Sequence, residues 1–194
     1  MQIQTGYVMK NRALFIVDVQ NDFLPGGALA VPKGDEVIPV INELQKRFEW
    51  IFASKDWHPA TTVHFEKWPV HCVRGTKGAA FPEELNIRRI EKVFLKGTGN
   101  VDDGYSAFEA TNDDLAFRLK SLGVTQLFVT GLATDYCVKA TAIDAVKNGF
   151  DTFVIRDAVR AVNVQPGDEE RAFSEMKKAG VHIIDFDQVP NHDL

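Results

Sequence analysis

An α/β fold, with a parallel sheet flanked by helices on both faces, is the class this sequence predicts, and three observations predict it. Apolar, β-branched stretches of strand length alternate with longer segments of helical period. The helical segments begin at or near an Asp able to cap or favour their N-termini, and three of them stop near Gly123, Gly149 or Gly180. A chain of 194 residues fits one core, so residues 1–194 are expected to form a single domain.

The strand candidate Ala13–Val19 opens the alternation, followed by a helix over Asp35–Phe48 and a strand over Trp50–Ser54. Lys55–Asn86, rich in His, Pro and Gly, then departs from the pattern. A third strand, Lys92–Leu95, leads into a second irregular stretch, Gly97–Thr111; loops this long in a compact domain usually carry function. Helix Asp113–Leu122, strand Gln126–Thr130, helix Asp135–Asn148, strand Thr152–Ile155, helix Asp168–Ala179 and strand His182–Phe186 complete the chain. No repeat or linker divides it.

Composition excludes several classes. A net charge of −5, with Lys and Arg scattered among acids, gives no footprint for nucleic acid. No apolar run approaches the roughly 20 residues that span a bilayer, and Met1–Lys10 lacks the apolar stretch of a signal peptide, so no membrane partner and a cytoplasmic location are expected. Cys72 and Cys137 are the two cysteines, and in a reducing compartment both stay free thiols.

Three strand ends carry chemistry. Asp18 follows the run Ala13-Leu14-Phe15-Ile16-Val17, where a buried carboxylate needs a partner; it lies at the crevice beyond the strands or caps the next turn. Lys96 ends the third strand and could supply that partner. Cys137 falls where the fourth strand turns into a helix, and backbone N–H groups there favour a thiolate and can form an oxyanion hole. A lone cysteine is most often a small buried hydrophobe; an acid and a cation at neighbouring strand ends would make this one an activated nucleophile.

A second cluster lies in the irregular stretch. Asp56 and His58 point to one face of an extended chain, and His58, His64 and His71 are three of the five histidines. Carboxylate and imidazole without thiolate suit one divalent transition metal such as Zn, Fe, Mn or Co. Cys72 would point away from His71. His182 and His192 are isolated and read as structural and tail residues.

The stretches Val17-Asp18-Val19-Gln20-Asn21-Asp22-Phe23, Asp56-Trp57-His58-Pro59, Trp68-Pro69-Val70-His71-Cys72, Lys96-Gly97 and Ala133–Val138, in this order, closely resemble bacterial nicotinamidases of the isochorismatase-like cysteine hydrolase superfamily. The resemblance implies hydrolysis of nicotinamide to nicotinate and ammonia through a Cys thioester, and a place in NAD salvage. It implies Asp18, Lys96 and Cys137 as a triad, and Ala133 and Cys137 N–H groups as the oxyanion hole beside a cis Leu132–Ala133 peptide. Asp56, His58, His64 and His71 become the metal site (Zn, Fe or Mn), with Phe23, Trp68 and Tyr105 walling the pyridine ring. A homo-oligomer is compatible with the family. Two segments depart from its pattern: His64 to His71 is short and carries Glu66-Lys67, and Gly99–Gly104 is expanded. The competing readings are a metal-independent carbamoyl or ureido amidohydrolase of the same superfamily and a non-catalytic metal-binding protein on this fold.

Overall fold

The computed structural model describes residues 11–191; Met1–Lys10 and His192 lie outside the described residues. Strand β1 (Asn11–Val17) sits at the centre of the sheet. Side chains alternate across a strand, so Ala13, Phe15 and Val17 enter one core while Leu14 and Ile16 enter the other. With β2 (Trp50–Asp56), β3 (Lys92–Lys96), β4 (Val124–Leu132), β5 (Asp151–Arg160) and β6 (His182–Ile184) it forms one parallel sheet, ordered β3-β2-β1-β4-β5-β6.

Helix α1 (Val37–Leu44) covers one face through Val37, Ile38, Ile41 and Leu44. Full burial contributes about 1.5–3 kcal/mol per large aliphatic side chain. These four anchors therefore hold a helix whose eight residues would not persist alone in water. Helices α2 (Leu115–Ser121), α3 (Lys139–Lys147) and α4 (Asp168–Lys178) cover the opposite face, through residues such as Leu115, Leu119, Ala142, Ala145 and Met176. Among the described residues no helix is long and apolar enough to cross a membrane.

All six strands and four helices fall where the alternation places them, and the differences are at their ends. The first strand stops at Val17, two residues early, because Asp18 turns the chain with φ +47. The segment expected as one helix over Asp35–Phe48 is helical in three pieces, with 3-10 turns at Gly34–Glu36 and Gln45–Arg47 flanking α1. The helix after β4 begins as a wide turn, Thr134–Val138, in which Val138 N–H donates to Ala133 O across five residues before α3 takes over.

The sheet order reverses between β1 and β4, and the crevice of an open parallel sheet opens beyond the strand ends at such a point. Gly131 lets these two strands close up there. Its φ is +106, and a Cβ would stand 2.0 Å from the Val17 carbonyl oxygen.

Candidate active site

Four strand ends meet at this crevice: Asp18 after β1, Asp56 on β2, Lys96 on β3 and, one turn past β4, Cys137. Lys96 is fully buried, where a lysine ending a strand is ordinarily solvated. Its ammonium lies 2.7 Å from Asp18 Oδ2 and 2.5 Å from Asp56 Oδ1, donates to Gly104 O at 2.7 Å and reaches Cys137 Sγ at 3.5 Å. Ser54 Oγ donates to Asp18 Oδ1 at 2.7 Å. Asp18, Asp56 and Cys137 offer atoms all within 4.8 Å of one another. The capping alternative for Asp18 is set aside: both its oxygens face the cluster.

The electrostatics follow from this packing. Burial raises the Asp18 carboxyl to about 6 while Lys96 opposes the rise and Asp56 adds to it. For Asp56 burial pushes the same way and is the largest single influence, but the Lys96 ammonium leads the effects that together overcome it, and the group stays well below the usual carboxylate range. Burial works against the Lys96 charge, and the two carboxylates overcome it, holding its pKa well above the ordinary value. Burial pushes the Cys137 thiol well up; Lys96 opposes and the carboxylates reinforce. At neutral pH the cluster is a thiol, two carboxylates and an ammonium. Passing the thiol proton to Asp18 leaves its net charge unchanged.

The three expected imidazoles converge beside it. His58 and His71 rings lie 5.0 Å apart, and His64 stands 4.6 Å from His58 and 5.4 Å from His71. Each Nδ1 faces an oxygen that can only accept: Gly97 O at 2.8 Å for His58, Pro69 O at 2.6 Å for His71 and Asp102 Oδ1 at 3.0 Å for His64. The protons therefore sit on Nδ1, and the Nε2 lone pairs turn inward. His58 Nε2 is buried without a hydrogen-bond partner. It lies 3.6 Å from Asp56 Oδ2, and His71 Nε2 lies 3.8 Å from the same oxygen. Lone pairs and a carboxylate pointed at one another repel, whereas a divalent cation between them would satisfy every donor. The residues thus fit a metal. Gly97 is integral to this arrangement: its φ is +61, and a Cβ would lie 2.5 Å from His58 Cε1 and 2.8 Å from Nδ1. Gly97→Ala is expected to push the ring aside and lower the affinity for a divalent metal by at least about tenfold. Metal content after dialysis against a weak chelator measures this, and wild-type stoichiometry in the variant would sink it.

Cys137 and two of the histidines open into a pocket whose walls include Phe23, Trp68 and Tyr105, the three expected aromatics, together with Leu29 and Val162. Trp68 Nε1 donates to Tyr105 Oη at 3.1 Å. Sequence reasoning missed Tyr136, which packs edge-on against Trp68 at 5.0 Å and lines the same pocket. It also missed Ser54, Asp102, the Asp56–Lys96 pair and Gln20, whose amide brackets the Asp56 backbone by accepting from its N–H at 2.8 Å and donating to its carbonyl at 2.9 Å. Polar residues two apart at the end of apolar β2, Ser54 and Asp56, were the available signal. The Leu132–Ala133 peptide is cis. Cys72 is buried and free, and His182 stacks on Phe153 at the sheet edge, far from this cluster in the strand order.

Together the fold and the site define an α/β enzyme whose polar groups hang from the ends of four parallel strands above an aromatic pocket. The isochorismatase domain model matches residues 12–188, and the chain belongs to that family. It is 42% identical over 202 residues to a nicotinamidase of Escherichia coli (strain K12), covering 90% of this chain and 95% of that one. Among solved structures it is similar to the pyrazinamidase of Pyrococcus horikoshii in complex with zinc (TM-score 0.82, 43% identity, 90% of this chain and 99% of that one). An L. infantum protein in complex with nicotinate gives a TM-score of 0.84 at 38% identity, over 91% of this chain and 93% of that one.

Proposed function

We propose that this protein is a nicotinamidase that hydrolyses nicotinamide to nicotinate and ammonia, with Cys137 as nucleophile. The observation that carries the reading is the contact of a buried Asp18–Lys96–Cys137 cluster with a three-imidazole site through one shared carboxylate, Asp56. Asp18 accepts the thiol proton, and Lys96 holds the resulting thiolate. The sulfur attacks the carboxamide carbon, and the N–H groups of Ala133 and Cys137 receive the developing oxyanion. Asp18 returns its proton to the departing nitrogen, which leaves as ammonia. A water that surrenders a proton to Asp18 then cleaves the thioester, freeing nicotinate and restoring the thiol. Phe23, Trp68 and Tyr105 hold the ring against the nucleophile, and Tyr136 extends that wall.

Asp56, His58, His64 and His71 would hold one divalent metal, Zn, Fe or Mn, which when bound supplies a Lewis-acidic partner for the pyridine nitrogen. A zinc complex in a similar structure supports this reading. A cytoplasmic single-domain enzyme of NAD salvage, acting on a small molecule, completes it; two free cysteines accord with a reducing compartment. Ammonia release settles the substrate. Nicotinamide should be hydrolysed, N-carbamoyl and ureido compounds should not, and a strong chelator should suppress turnover. Release from a carbamoyl substrate, indifferent to chelator and absent with nicotinamide, would favour the metal-independent rival.

A further inference from the structure

His58 and His71 are aligned by backbone carbonyls, but His64 is aligned by a side chain. His64 sits in a four-residue 3-10 turn, Val63–Glu66, without sheet support. Instead, residues 99–102 dock on it: Thr62 Oγ1 donates to Gly99 O at 3.3 Å, Val63 N–H to Asn100 Oδ1 at 2.9 Å and His64 Nδ1 to Asp102 Oδ1 at 3.0 Å. The same Asp102 oxygen accepts from Tyr105 Oη at 3.2 Å, whose hydroxyl in turn accepts from Trp68 Nε1. Lys67 pairs with the other oxygen. Lys67 is largely exposed, so this pair contributes little to stability and leaves the His64 and Tyr105 contacts as the ones that matter.

We propose that Asp102 is a positioning residue that fixes His64 as the third imidazole donor and ties it to the Trp68–Tyr105 wall of the pocket. A carboxylate behind a ligating imidazole locks the tautomer with Nε2 free and raises the ligand's basicity. Because one Asp102 oxygen serves both the histidine and the tyrosine, the chain of hydrogen bonds Trp68–Tyr105–Asp102–His64 sets ring binding and metal geometry together. This inference rests on the metal site of the nicotinamidase reading.

The test compares wild type, Asp102→Ala, Asp102→Asn and His64→Ala. Zinc affinity is measured by competition with a chromophoric chelator, and the cobalt-substituted proteins give visible spectra. Loss of a carboxylate behind a ligand typically costs about 10–100-fold in metal affinity. Asp102→Ala should show a loss of that size, a cobalt spectrum displaced in the direction that His64→Ala displaces it, and a raised KM for nicotinamide. Asp102→Asn keeps an acceptor oxygen facing Nδ1 and should recover most of the affinity and the spectrum, an outcome that loss of fold in the alanine variant would not produce. Wild-type affinity and spectrum in Asp102→Ala, with both altered in His64→Ala, would overturn the inference and leave the metal site standing. Absence of zinc and cobalt binding in the wild type would overturn the metal site and the inference together.

Discussion

Cys137→Ala should abolish ammonia release from nicotinamide, with a loss on the order of 10⁶-fold, the scale seen when a covalent nucleophile is removed and only positioning and oxyanion contacts remain. The fold should survive, because the side chain lies at the pocket wall and Lys96 keeps Asp18, Asp56 and the Gly104 carbonyl as partners when the sulfur is removed. Cys72→Ala is the control. Its thiol is fully buried, outside the pocket lining, and pushed far up by desolvation with the surrounding carboxylates adding to the rise. It should retain near-normal turnover, and equal losses in the two variants would show that the nucleophile is misassigned.

Asp18→Asn should cost roughly 10²–10⁴-fold in kcat/KM, the usual scale of general acid–base catalysis, since an amide cannot accept the thiol proton. Its pH dependence carries a second signature. Burial raises the Asp18 carboxyl to about 6, so the reactive carboxylate predominates at neutral pH and is lost as pH falls. In wild type kcat/KM should therefore decline below about pH 6, approaching tenfold per unit. The residual activity of Asp18→Asn should lack that limb. A wild-type profile that stays flat down to pH 4.5 would remove Asp18 as the base.

Much of this was legible because the governing patterns are local. A carboxylate ending an apolar run, a lysine ending another and a cysteine at the turn from strand to helix each stand out against their neighbours, and the sheet brings them together. Helix ends were harder: α1 contracts to the residues that bury Val37, Ile38, Ile41 and Leu44, and propensity does not mark where packing stops. The unseen part of the site consists of contacts between distant residues. Asp56 meets Lys96 across 40 positions and Asp102 meets His64 across 38, with no periodicity to announce either pair. The two segments that depart from the family pattern, around Glu66-Lys67 and Gly99–Gly104, lie against each other through Lys67 and Asp102.

The shared Asp56 constrains how such a site can change over generations. One oxygen offsets the buried charge of Lys96 and the other faces His58 and His71, so substitution at this position strikes both clusters at once. Removing it leaves a desolvated ammonium with one fewer counter-charge, and breaking a buried pair costs about 3–5 kcal/mol. Effects of Asp56→Asn combined with substitutions at Lys96 or His71 should accordingly be strongly non-additive. The histidines could be replaced one by one without touching the lysine, whereas this carboxylate also answers the lysine's charge. Asp56 is therefore the position at which change in the imidazole cluster is coupled to the charge balance around Lys96 and Cys137.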